Sequence, residues 1–107
     1  MTAAEIQFNA MARAVDGAEA VTLGKLFGHP SLQENGKAFV LRYHDDLVFK
    51  LGRERVDNVL ASHPEAMRFD PSGKGRAMKD WLHVPLSLGV DWLTWAESAR
   101  KFVHDGA

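Results

Sequence analysis

The chain contains no cysteine. Disulfide staples and thiolate metal ligands are therefore excluded, and a reducing compartment is the natural setting. No apolar run approaches the ~18 residues of a membrane span. No charge of one sign dominates: 13 Lys and Arg stand against 14 Asp and Glu, a formal net charge of −1. Nucleic-acid binders usually carry a clear basic excess, so the bulk balance argues against that class. Internal repeats and low-complexity segments are missing too. The first residues, MTAAEIQFNAMARAV, are amphipathic and carry Glu5 where a signal peptide would have a basic region and then an apolar one. A cytoplasmic protein is expected. A chain of 107 residues makes one domain, residues 1–107, able to bury about two-thirds of its unfolded surface.

The most informative stretch is NGKAFVLRYHDDLVFKLG, Asn35 to Gly52. Asn-Gly is the strongest short-range hairpin signal, because both residues tolerate positive φ. Two strands follow, Lys37 to Tyr43 and Leu47 to Leu51. A three-residue loop at His44-Asp45-Asp46 collects Phe39, Leu41, Tyr43, Leu47, Phe49 and Leu51 on one face. A two-residue loop shifts the register by one and scatters the apolar residues. The three-residue loop is therefore expected, with Ala38, Val40, Arg42, Val48 and Lys50 on the outward face.

Elsewhere, residues 3–16 read as a helix with Phe8, Met11, Ala12 and Val15 on one stripe and Gly17 as its stop. Val21 to Phe27 and Ser31 to Glu34 read as strands. Arg53 to Ser62 reads as a helix buried through Val56, Val59 and Leu60, with Pro64 just beyond it. Residues 66–70 form a short strand, residues 71–75 a loop, and residues 77–86 an extended segment. Asp91 is a good N-cap for a last helix whose stripe is Trp92, Trp95, Ala96, Ala99, Phe102 and Val103. The order gives an α+β fold, a two-layer α/β sandwich with an antiparallel sheet and helices on one face.

Chemistry-bearing constellations are sparse. The five histidines include no pair at the spacing of a helical zinc site, so no metal is expected. Asp45 and Asp46 suit a tight turn without a ligand. No serine has a nucleophile-elbow context. Glu54 and Asp57 alternate with Arg53 and Arg55 as a solvated charged face. Gly73-Lys74-Gly75-Arg76, with Lys79 beyond, is the best candidate anion or partner loop. Its glycines let backbone N–H groups turn outward beside Lys74, Arg76 and Lys79, although the phosphate-loop spacing is absent. Trp92 and Trp95 belong to the buried stripe. Trp81 has the opposite parity to Leu82 and Val84 and is expected outward, as an interface anchor.

Four segments resemble the TfoX N-terminal domain family. They are Leu26-Phe27-Gly28, Gly36-Lys37-Ala38-Phe39, Leu47-Val48-Phe49-Lys50-Leu51, and the most specific, Gly75-Arg76-Ala77-Met78-Lys79-Asp80-Trp81-Leu82-His83-Val84-Pro85. The likeness spans about residues 20–104. It implies a bacterial protein with an antiparallel α/β sandwich related to secretion-chaperone-like domains, often dimeric. The family is named for a competence regulator that carries a second, C-terminal domain, and these 107 residues show none, so a competence role does not carry over directly. The family has no agreed catalytic motif, so no catalytic residue, cofactor or metal is implied. The expected function is a non-enzymatic binding or regulatory module acting on a protein partner or its own copy through Val40, Arg42, Val48, Lys50 and Trp81. A nucleic-acid-binding module using Lys74, Arg76, Lys79, Arg42 and Lys50 is the alternative, and a small enzyme the third reading.

Overall fold

The computed structural model describes residues 1–14, 21–75 and 77–106. Helix α1, Ala3–Ala14, starts at a reciprocal cap. The Glu5 amide donates to Thr2 Oγ1 (3.1 Å) and the Thr2 amide to Glu5 Oε1 (3.2 Å), so two otherwise orphaned N–H groups are satisfied. Phe8 and Met11 fall on its buried side. Val15 and the expected stop at Gly17 lie outside the described residues.

Four strands follow as a meander: β1 Val21–Leu26, β2 His29–Glu34, β3 Lys37–Tyr43 and β4 Asp46–Lys50. Each connection has two residues. Phe27-Gly28 and Asn35-Gly36 both hold positive φ at both positions, the pattern of the hairpin turn whose twist matches that of the strands. Helix α2, Arg53–Ser62, then crosses over to β5, Met67–Phe69, and β6, Met78–Val84. After a turn of 3-10 helix at Leu86–Leu88, α3 runs Trp92–Asp105. Its N-cap is the expected Asp91, which accepts from the Thr94 amide (3.3 Å) and hydroxyl (2.7 Å). The strand order is β1-β2-β3-β4-β6-β5, antiparallel at every junction.

The helices form one layer. Helix α3 lies on β3 and β4, α2 on β6, and α1 on α3 with β3 and β4. Between the layers sit Phe8, Met11, Leu32, Phe39, Val40, Leu47, Phe49, Leu82, Trp92, Ala96 and Ala99. Phe49 stacks near-parallel on Trp92, with centroids 6.0 Å apart, and meets Trp95 edge-on at 5.7 Å.

The expected three-residue loop is not what forms. Tyr43 pairs with Asp46 and Arg42 with Leu47, so the loop is His44-Asp45, with His44 at φ 54. A β-bulge instead divides the expected apolar set between the two faces of the sheet. Leu32 pairs with Val40 but Gln33 pairs with Ala38, which leaves Phe39 as an extra residue in β3. Phe39 and Val40 both reach the helix-side core, and alternation resumes in opposite phase. Leu41 and Tyr43 consequently join the far face of the sheet.

That far face has a core of its own: Leu41, Val48, Phe69 and Trp81, flanked by Leu26, Ala38, Tyr43 and Met78. No helix covers it. The sheet does so by curling, because Phe27 in the β1–β2 turn reaches Phe69 on β5 with ring centroids 6.2 Å apart, and β1 and β5 are the two outermost strands.

Candidate interaction surface

The curl removes the outward face expected from the sequence. Val40 and Val48 are both 0% exposed and Trp81 is 5% exposed. Val40 and Arg42 face the helix side, each level with a core residue of β4, Phe49 and Leu47 respectively. Val48, Lys50 and Trp81 lie on the other face, where the Lys50 ammonium stands 5.8 Å from the centre of the Trp81 ring. The parity expected for Trp81 against Leu82 and Val84 holds, but its exposure does not. The five residues do not make one contact surface, because the bulge splits them, the helix layer buries Val40 and the curl buries Val48 and Trp81.

The glycine loop is occupied from within. Asp70 accepts from the amides of Gly73 (3.1 Å) and Gly75 (2.9 Å) and from the Ser72 hydroxyl (2.8 Å). The Ser72 hydrogen bond is the largest influence on the Asp70 carboxyl; burial opposes it, the backbone amides add to it, and the net shift is below the ordinary range. The backbone N–H groups expected to turn outward to an anion therefore close on the chain's own carboxylate. Lys74 and Lys79 are exposed, and Arg76 lies outside the described residues.

A different group of residues converges at the tips of the β1–β2 and β3–β4 hairpins. Pairing of β2 with β3 sets the half-buried Tyr43 among three imidazoles: His44 at 4.4 Å, His29 at 4.7 Å and His83 at 5.6 Å between ring centroids. Phe69 meets the same ring edge-on at 5.0 Å. His83 Nε2 and Asp46 Oδ2 lie 2.8 Å apart across β4 and β6, which orients that imidazole. Two large apolar side chains border this cluster in the open. Phe27 is 52% and Met67 56% exposed; Phe27 packs on Phe69, and Met67 sits level with His83 in the β5–β6 pairing.

The sequence reading had Phe27-Gly28 only as a strand end, yet its Gly and the following His-Pro were a turn signal. The gathering of the histidines depends on cross-strand register. Among the described residues, no group of three or more His, Asp or Glu is placed to hold a metal ion, and no buried side-chain polar atom lacks a partner. The cluster is closely packed, so it offers an aromatic and thioether surface rather than a cavity.

One ion cluster lies apart from it. Glu34, 5% exposed at the end of β2, accepts from Arg100 Nε and from His104 Nδ1, each at 3.0 Å. Burial pushes the Glu34 carboxyl up, but the hydrogen bonds and charges of Arg100 and His104 outweigh it, and the net shift is downward. This pins the C-terminal half of α3 to the sheet.

The chain matches no family model, no curated protein and no solved structure. Among the described residues, no helix is long and apolar enough to cross a membrane.

Proposed function

We propose that the protein is a non-catalytic binding module whose contact surface is the rim of Phe27 and Met67 around Tyr43, His29, His44 and His83, and that the partner is another protein or a second copy of this chain. The observation that carries the reading is the pair of large apolar side chains, 52% and 56% exposed, bordering one aromatic cluster. Apolar residues scattered singly over a surface need no explanation. These two flank the same packed rings, and aromatic and methionine side chains are the types enriched in interface cores. The rigid cluster beneath supports them at little conformational cost on binding. The antiparallel two-layer fold is the one that the resemblance to TfoX N-terminal domains implies, and a regulatory role in that style is part of the proposal.

The test begins with light scattering of the wild type and of a Phe27→Asp, Met67→Asp double variant up to ~100 μM. A dimer that becomes a folded monomer in the variant supports self-association through the rim. If the wild type is a monomer, a photo-crosslinker at position 27 should trap a protein in the native host that one at Leu93, exposed at 39%, does not. Equal trapping at both positions, or at neither, refutes the reading.

A further inference from the structure

The opposite end of the sheet carries a second surface with a different chemistry. The cluster around Tyr43 closes one end of β3, and Lys37 begins the other, about 20 Å away at ~3.3 Å per residue. There the start of α2 meets the last turns of α3 at Phe102, whose ring lies directly against the backbone of Gly52: a Cβ on that glycine would stand 2.6 Å from Phe102 Cε1. Two of the depressions that share this ring reach the start of α2. One, about 350 Å³, is lined by Arg53, Arg55 and Asn58. The other, about 420 Å³, is lined by Arg55, Lys101 and Ser98. Leu51 and Phe102 contribute to both. Each volume lies in the range of small-ligand sites.

Among the described residues, none of Arg53, Arg55 and Lys101 is engaged in an ion pair. Glu54 and Asp105 also line the depressions, so three cations stand with two carboxylates. A third depression at the same ring, about 350 Å³, adds Lys37, Lys50 and Asp80; the small net excess of cations suits one phosphate better than a polyanion, whose binding scales with the number of phosphates neutralised. Guanidinium groups match phosphate oxygens in a bidentate fashion that a lysine cannot. The half-buried Phe102 ring supplies an apolar face beside them.

We infer that this groove is a binding site for a small phosphorylated ligand with a planar ring, of the nucleoside monophosphate class. Arg53 and Arg55 hold the phosphate, Asn58 adds an amide, and the ring lies along Phe102 towards Lys101. The site is independent of the protein-binding rim at the other end of the sheet.

The experiment is amide chemical-shift mapping of the full chain with AMP, adenosine, inorganic phosphate and a four-nucleotide single strand. AMP should shift the amides of Leu51 to Asn58 and of Phe102, saturating at about 0.1–1 mM. Adenosine and inorganic phosphate should each bind at least about fivefold more weakly, because each keeps half of the contacts. Arg55→Gln should weaken AMP about tenfold, with Arg68→Gln, a β5 cation that pairs with Asp57 and lines neither depression, as the unaffected control. The inference is overturned by an absence of shifts at ~10 mM AMP, by shifts centred on Lys74 to Lys79, or by equal affinity in Arg55→Gln. A strand bound more than about tenfold tighter than AMP overturns the assignment to a small ligand.

Discussion

Replacing Gly52 with alanine tests the seating of the Phe102 ring on the backbone. Gly52 precedes α2 with φ 90 and ψ 152, a region that side-chain-bearing residues enter at a cost of about 1–3 kcal/mol. The new Cβ would also stand 2.6 Å from Cε1 and 2.9 Å from Cδ1 of Phe102, so the ring must swing off the backbone. Overpacking of this kind costs about 1–2 kcal/mol where the displaced ring is only half-buried. Alanine restricts the unfolded chain and returns about 0.4–1 kcal/mol. The net loss is about 2–4 kcal/mol, read from urea unfolding followed by tryptophan fluorescence. The same substitution in a Phe102→Ala background keeps the backbone strain but loses the overlap, so it should cost about 1–2 kcal/mol less. A Gly52→Ala loss under ~0.5 kcal/mol would refute the strained backbone. Equal losses in the two backgrounds would refute the seating of the ring on Gly52.

Two further outcomes follow from burial. Glu34→Gln should lose about 1–2 kcal/mol at neutral pH, a modest figure because Arg100 and His104, with side chains 33% and 70% exposed, fall back to water. Since the folded state holds the Glu34 carboxyl below its ordinary value, its stabilisation is present above about pH 4.3 and is lost as pH falls through that value and below; wild type and variant should converge there in urea midpoint, and a gap that widens on acidification would contradict the sign. Val40→Glu and Val48→Glu, each placing a charge at a fully buried position, should cost more than about 4 kcal/mol and unfold the domain; a folded, soluble Val40→Glu protein would show that the bulge is misplaced.

Local signals were legible wherever a residue type has one structural use. Arg53 to Ser62 is the helix that its stripe and Pro64 predict, Asp91 is the N-cap, and Asn35-Gly36 is the turn. The order of elements and the helices on one face were readable for the same reason. The phase of β3 was not. Ala38 to Leu41 is a continuous apolar run, so an extra residue leaves no trace in its pattern, and pairing with β2 decides where the bulge falls. The expected surface is lost in two ways: that displacement moves Val40 inward and Tyr43 to the far face, and the curl of the sheet buries Val48 and Trp81. The glycine loop failed differently. Its occupant, Asp70, stands three residues before Gly73, and a side-chain-to-backbone turn was the local reading available. The clustering of His29, His44 and His83 around Tyr43 belongs to long-range register and had no sequence signature.

The bulge in β3 also sets where this sheet tolerates a change of length. Loss of one residue between Ala38 and Leu41 would remove the surplus and leave the Asn35-Gly36 and His44-Asp45 turns in their present registers. Loss at any other point of the strand would drag one of those turns a step along its partner and send alternate side chains to the wrong layer. The extra residue thus acts as an expansion joint. In chains descended from a common ancestor, single-residue insertions and deletions within β3 should gather at this joint, with both neighbouring turns held at two residues.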